Sequence, residues 1–421
     1  MEISALLKTI NPWWKEKTIS KELTKSYRRK VFNEITSLLS YRQILLLSGL
    51  RRVGKSTLIF QVINELLKNK NPEHIIYFSF DLDVESITSI LNGYKQVTNI
   101  EWEKEKIFVF LDEIQKHKEW QNELKLIYDS FPNIKFIISG SSSAILEKEA
   151  MSSLVGRYFL INVLPLSFIE FIELKNLKFD LNKKELWKED IKKEFSEYLR
   201  KSFPELVEWN EDILIKKYIK ESVIDKVIKS DLPERFKDIS EDLLVKLIEI
   251  FYSEPGMYIN YDNLSSDLKI SKKTLVKHVF YLEFAYLIIK IKNFRGKQLT
   301  SSRKLQRIYP YHWNLMYPFG WNNLYECFAA NILNAKNYWR ENKREVDFIL
   351  FGKNLIPIEV KSANIKKEDL INLIYFCKVN KLKQAFIICE NEDKIEKIED
   401  ITVTYIPLWR LALEPEILQI K

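Results

Sequence analysis

The sequence predicts an α/β protein built on a parallel, doubly wound sheet, and three observations carry that prediction. Four short apolar runs, QILLLS (43–48), HIIYFSFD (74–81), IFVFLDE (107–113) and KFIISG (135–140), are separated by stretches with helical spacing. The first run ends at a glycine-bounded loop that opens into a helix, and the third ends in two acids. Strands that alternate with helices pair in parallel, with the helices covering both faces.

Each element has its own justification. Residues 43–48 lack polar alternation, the mark of a strand buried on both faces. A helix is expected from Lys55 to about Lys68, and another over Trp120–Ser130. Weaker strand-like runs flank a change of character near Pro165, after which residues 167–250 mix charged and apolar residues at helical spacing. Short helices and two strands follow from about 260. From Asn322 a helix leads into strand, turn, strand, helix and strand. Boundaries are expected near 165, 240 and 315, which divides the chain into 1–165, 166–240, 241–315 and 316–421.

The bulk numbers agree with several folded parts. The chain has 421 residues, 46% of them hydrophobic, which is ample for real cores. Cys327, Cys377 and Cys389 form no zinc spacing and read as ordinary thiols. MEISALLKTINPWW has no signal-peptide core, and no run of about 18 apolar residues occurs, so a cytoplasmic protein is expected. The net charge of +8 is concentrated: residues 261–320 hold eleven Lys/Arg against three Asp/Glu. Such a patch suits a polyanion partner, and a solvated lysine-rich face would look the same.

Gly49, Leu50, Arg51, Arg52, Val53, Gly54, Lys55, Ser56 and Thr57 fit G-x-x-x-x-G-K-[ST] between a buried strand and a helix. Backbone N–H groups and a helix N-terminus can cradle phosphates there. Lys55 is expected to reach the β- and γ-phosphates of ATP, and the Ser56 hydroxyl to ligate magnesium. The strand IFVFLDEI delivers Asp112 to the same sheet edge as a second magnesium ligand, with Glu113 beside it to polarise the attacking water. Ser141, in the Ser-rich loop after Gly140, is the candidate γ-phosphate sensor. Arg157 is a candidate to neutralise transition-state charge, in cis or from a neighbour; a surface arginine would read the same.

The segments LSGLRRVGKSTL, FLDEIQKHKEWQNELKLIYD, IISGSSSAIL and LVGRYFLINVLPLSFIEF, in that order, resemble a family of AAA+ ATPases over roughly residues 40–172. The resemblance implies that Gly49–Thr57, Asp112 and Glu113 bind and hydrolyse ATP. Ser142 stands where many relatives carry Asn or another residue.

Residues 258–300 suggest a winged helix: a short helix with Leu264 and Leu268, a Ser271 cap, a helix over Lys272–Tyr286, then a basic strand pair. Leu275, Val276, Val279, Leu282 and Leu287 recur at helical spacing. The segment resembles the winged-helix modules that follow the ATPase in that family. Lys272, Lys273 and Lys277 on the helix, with Arg295 and Lys297 on the wing, would contact DNA phosphates. A winged helix used only for packing is the alternative.

Residues 321–361 carry Glu326 on a helix, Glu345 and Asp347 on a strand pair, and Glu359 with Lys361 on the strand LIPIEVKSA. Strand alternation sets Glu359 and Lys361 on one face. Carboxylates and a lysine converging from adjacent strands suit magnesium. The order resembles the PD-(D/E)xK nuclease superfamily over roughly 315–410, with Glu326, Asp347, Glu359 and Lys361 matching its active residues. The resemblance implies Asp347 and Glu359 as metal ligands, Glu326 as a further ligand, and Lys361 steadying the charge of the reaction. The whole reads as an AAA+ ATPase, a helical and winged-helix connector, and an α/β restriction-nuclease-like domain. Its expected function is ATP-dependent DNA processing, with self-association open. The competing expectation is an ATPase switch that binds DNA or a protein partner without cutting.

Overall fold

The four apolar runs form strands β1 (Ile44–Ser48), β2 (Ile75–Ser79), β3 (Ile107–Asp112) and β4 (Ile134–Gly140), joined by β5 (Tyr158–Asn162). All pair in parallel, in the order β2-β3-β4-β1-β5. Strands β1, β3 and β4 are buried along their whole length, as continuous apolar runs require. The helices Lys55–Leu66, Ile87–Thr98 and Trp120–Ser130 connect them, the first and third within a residue or two of the expected bounds. The outer edge of β2 is covered by a segment that carries no strand pattern. Asn11 exchanges two hydrogen bonds with the Tyr77 backbone, at 2.7 and 3.0 Å, and the indoles of Trp13 and Trp14 both donate to the Ile75 carbonyl. Polar side chains thus do what another strand would do for an open edge.

The computed structural model describes residues 3–140, 153–294, 306–362 and 365–418. The chain divides into two compact units, Met1–Leu166 with Phe203–Glu205, and Ser167–Ser202 with Leu206–Lys421. Among the described residues, no helix is long and apolar enough to cross a membrane.

The second unit begins with helices, among them Lys188–Arg200 and a π-helical stretch over Ile219–Asp231. The helix Tyr261–Asp267 precedes Lys272–Phe284, whose N-cap Ser271 accepts from Thr274 N at 3.0 Å. Leu275, Val279, Leu282 and Leu287 are buried; Val276 is 43% exposed and belongs to the outer face. Strands β6 (Met257–Tyr258), β7 (Ile288–Asn293), β8 (Gln306–Pro310), β9 (Asn337–Glu341) and β10 (Arg344–Val346) form one sheet, ordered β10-β9-β7-β8-β6. The parallel pairing of β7 with β9, through Lys292↔Asn337 and Asn293↔Tyr338, joins residues on both sides of position 315 into this sheet. Strands β11 (Phe348–Phe351), β12 (Leu355–Lys361), β13 (Gln384–Cys389), β14 (Lys394–Ile398) and β15 (Ile401–Pro407) form another, ordered β11-β12-β13-β15-β14. Asp347 occupies the single-residue break between β10 and β11, where the chain passes from one sheet to the next.

Candidate functional site

In the first unit the loop after β1 has the shape its glycines demand. A Cβ on Gly49 would stand 2.1 Å from the Val163 carbonyl oxygen, so the first glycine answers to the neighbouring chain after β5. Gly54, at φ 92°, caps the helix Lys55–Leu66 from the left-handed region that favours glycine. The Lys55 amine is buried and donates to the carbonyls of Gly49 at 2.9 Å and Leu50 at 2.7 Å. Arg29 braces the loop from outside, donating to the carbonyls of Val53, Leu164 and Pro165 at 3.0, 2.8 and 3.2 Å.

Asp112 lies at the end of β3, 3% exposed. It accepts from the Ser56 hydroxyl at 2.6 Å, from the Tyr77 hydroxyl at 3.3 Å and from the Ser139 hydroxyl. Burial first, and the Glu113 carboxylate second, raise its pKa above the ordinary aspartate value. Glu113 adopts a left-handed backbone, φ 50°, and its carboxylate accepts from the Gln115 amide at 2.5 Å. Parallel strands thus bring Ser56, Asp112 and Ser139 together at one sheet edge, although 83 residues separate Ser56 from Ser139 (139 − 56). A hydroxyl and a carboxylate at that spacing are a donor set suited to magnesium, beside a lysine and a helix N-terminus suited to phosphate.

Of two further expected participants, one lies outside the described residues and one stands elsewhere. Ser141 falls outside the described residues, and Ser139 is the serine of that strand that meets Asp112. Arg157 precedes β5 and its carbonyl accepts from Ile44 N, at the start of β1. The phosphate loop leaves the other end of β1, roughly 16 Å away at about 3.3 Å per residue. The Arg157 guanidinium pairs instead with Asp129, at 2.8 and 3.0 Å. Strand direction thus sets Arg157 at the sheet edge opposite the phosphate loop.

In the second unit Glu326, Glu345 and Asp347 converge on a guanidinium. Arg307 of β8 is 7% exposed. It pairs with Glu326 through Nη2, and its Nη1 lies 3.3 Å from Glu345 and 3.5 Å from Asp347. Its Nε donates to the Gly256 carbonyl at 2.8 Å, and the rings of Tyr258, Tyr309 and Tyr338 surround it at 5.8, 5.3 and 5.9 Å. Asp347 also accepts from Val360 N at 2.8 Å, which ties β10 to β12. Lys361 donates to Glu359 Oε1 at 2.7 Å, so these two do share a face. Glu359 is 6% exposed, and burial first, with Asp347 next, raises its pKa. The same two causes raise Glu326. Of the expected magnesium ligands, Glu326 and Asp347 thus face an internal cation, Arg307, while Glu359 pairs with Lys361. Among the described residues no group of three or more His, Cys, Asp or Glu side chains is spaced to hold a metal ion.

The expected DNA contacts are partly engaged within the chain. Lys272 pairs with Asp262 at 2.7 Å, Lys277 pairs with Asp238, and Lys273 is exposed. Arg295 and Lys297 lie outside the described residues. Sequence reasoning missed Ser139, Tyr77, Arg29 and Arg307. Ser139 and Tyr77 had a signal, as polar residues in apolar strands; Arg29 and Arg307 had none beyond charge.

A family model described as an AAA domain matches residues 41–172. Two models for domains of unknown function, DUF8612 and DUF4143, match residues 192–311 and 323–411. The Methanocaldococcus jannaschii protein MJ1544 is 29% identical over 94% of this chain and 95% of its own length. MJ1637 of the same organism is 30% identical over 88% of this chain and 84% of its own. Among solved structures, the Walker-type ATPase PABY2304 of Pyrococcus abyssi is similar at 17% identity and a TM-score of 0.44, covering 72% of this chain and 97% of that one. Residues 41–172 are an AAA+ P-loop ATPase domain, and that family implies ATP binding, typically with magnesium. The chain therefore belongs to one family with the Methanocaldococcus jannaschii protein MJ1637, as an ATPase of the AAA+ type.

Proposed function

We propose that the chain is an ATP-dependent DNA-binding and DNA-processing protein, in which nucleotide state sets how the second unit engages DNA. Lys55 would exchange its loop carbonyls for the β- and γ-phosphates. Ser56 and Asp112 would hold the magnesium ion, which supplies charge neutralisation on the phosphates when bound. Glu113 would orient a water and take its proton, with Gln115 holding the carboxylate in place. Any arginine finger from Arg157 would act on a neighbouring copy, which makes self-association part of the proposal.

The observation that carries the DNA reading is the capped helix Lys272–Phe284, which presents Lys272, Lys273 and Lys277 within the stretch that holds the chain's whole charge excess. Its two ion pairs are exposed, so each is worth little and a phosphate can replace the aspartate. The test is ATP turnover and DNA retention by the full chain, with duplex and single-stranded DNA, at low salt. DNA should bind and raise turnover. Turnover indifferent to every DNA form, with no retention, would remove the DNA reading.

A second reading has its own observation. Arg307 in the midst of Glu326, Glu345 and Asp347 favours a switch that holds DNA or a protein partner without cutting it.

A further inference from the structure

We propose that Arg307 is a resident counter-cation that takes the place of a divalent metal in the carboxylate cluster, so that the folded chain carries a nuclease-like site closed to metal. The inference rests on the nuclease-like reading of Glu326, Asp347, Glu359 and Lys361.

Four features make Arg307 a built-in part of the site. Its guanidinium meets three carboxylates: Glu326 on the helix Leu324–Ile332, Glu345 on β10, and Asp347 in the break after it. Its Nε is tied to the Gly256 carbonyl at 2.8 Å. Gly256 has φ 88°, and a Cβ there would stand 2.8 Å from Arg307 Nη2, so the turn before β6 is shaped to admit the guanidinium. Three tyrosine rings surround it, the environment in which a weakly hydrated planar cation is stable.

The carboxylates are arranged on a guanidinium, a cation unsuited to hydrolysis, and with it in place they are not spaced to hold a metal ion. Arg307 Nη1 and Glu359 Oε2 are buried and make no hydrogen bond among the described residues. Nη1 lies 3.3 Å from the Glu345 and 3.5 Å from the Asp347 carboxylate, as ion pairs without hydrogen-bond geometry. Glu359 Oε2 is a buried carboxylate oxygen that a metal in an open site would claim. A guanidinium supplies charge there without Lewis acidity and without an exchangeable water.

The experiment is titration of the full chain with Mn²⁺, read by electron paramagnetic resonance without nucleotide, in an Asp112→Asn background that removes the first unit's carboxylate. The chain with Arg307 intact should show no manganese binding that depends on Asp347. Arg307→Met should bind it at least roughly tenfold more tightly, and Asp347→Asn should abolish the gain. Asp347-dependent binding with Arg307 intact overturns the inference, and this arm holds even where Arg307→Met fails to fold. A folded Arg307→Met that binds no manganese also overturns it. DNA cleavage is scored separately. Manganese binding by Arg307→Met without cutting leaves the inference standing and removes the nuclease reading. Asp347-dependent binding and cutting with Arg307 intact does the reverse.

Discussion

The Ser56 hydroxyl donates to the Asp112 carboxylate across 2.6 Å, which joins the start of the phosphate-loop helix to the end of β3. This contact makes one site of two motifs. It also explains why Asp112 tolerates burial: three hydroxyls, from Ser56, Tyr77 and Ser139, solvate it in place of water. The carboxylate and Ser56 are thereby held ready, and a ligand need not order them first.

Substitution of this machinery should separate binding from chemistry. Lys55→Ala should lose most ATP affinity, because it removes the cation facing the phosphates. Glu113→Gln should bind ATP normally and turn it over roughly a hundredfold or more slowly. Ser139→Ala should weaken magnesium-dependent nucleotide binding by roughly tenfold or more, acting through Asp112. Equilibrium binding of a fluorescent ATP analogue with steady-state phosphate release checks all three. Wild-type turnover in Glu113→Gln would reassign the base.

Arg157 lies at the far end of β1 from the phosphate loop and pairs with Asp129. Arg157→Ala should therefore leave turnover unchanged at protein concentrations where the chain is monomeric by sedimentation. Turnover that falls with Arg157→Ala only as concentration rises would establish a role on a neighbouring copy. A fall in the dilute monomer would contradict the strand-direction argument.

The ion pairs on the helix Lys272–Phe284 give a two-signed test. Replacing Lys272, Lys273 and Lys277 with Ala should weaken DNA binding about equally on unrelated sequences and flatten its salt dependence. Asp262→Asn and Asp238→Asn should instead tighten it, because they release Lys272 and Lys277 for phosphate. Fluorescence anisotropy over a salt series measures both. An unchanged affinity in both sets would assign this helix to packing.

His312 should give the second unit an acid weakness. Its ring is buried, and that burial lowers its pKa to about 3. An unfolded histidine titrates near 6.5, so between those values the unfolded chain takes up a proton that the folded chain refuses. Stability is thus full above about pH 6.5 and is lost progressively as pH falls toward 3, with a limit on the order of 4 to 5 kcal/mol at 1.36 kcal/mol per unit. His312→Asn keeps an acceptor for the Asn314 N–H, now met by Nδ1 at 3.2 Å. It should cost some stability at pH 7, through the ring whose centroid lies 3.7 Å from that of Trp313, and lose less than the parent on going to pH 5. Urea midpoints at the two pH values decide it, and parallel losses would acquit His312.

Sequence alone determined the first unit's architecture and most of its site. Continuous apolar runs, a glycine-bounded loop and an acid pair after a strand are local signals, and periodicity reads them directly. Parallel pairing puts every strand's C-terminal end on one edge, while the order β2-β3-β4-β1-β5 was decided by the tertiary structure. Only the tertiary structure decided what surrounds those residues. Asn11 covers the β2 edge from 66 residues away, Ser139 completes Asp112 from 27 residues away, and Arg157 is carried to the opposite edge by the direction of β5. The carboxylate cluster shows the same division. The spacing of Glu359 and Lys361 placed them on one face, because side chains alternate along a strand. No periodicity could place Arg307 among Glu326, Glu345 and Asp347, because β8 reaches them only through a shared sheet and the turn at Gly256. A charged side chain in a sequence looks the same whether it faces water or fills the centre of a site, and burial alone separates the two.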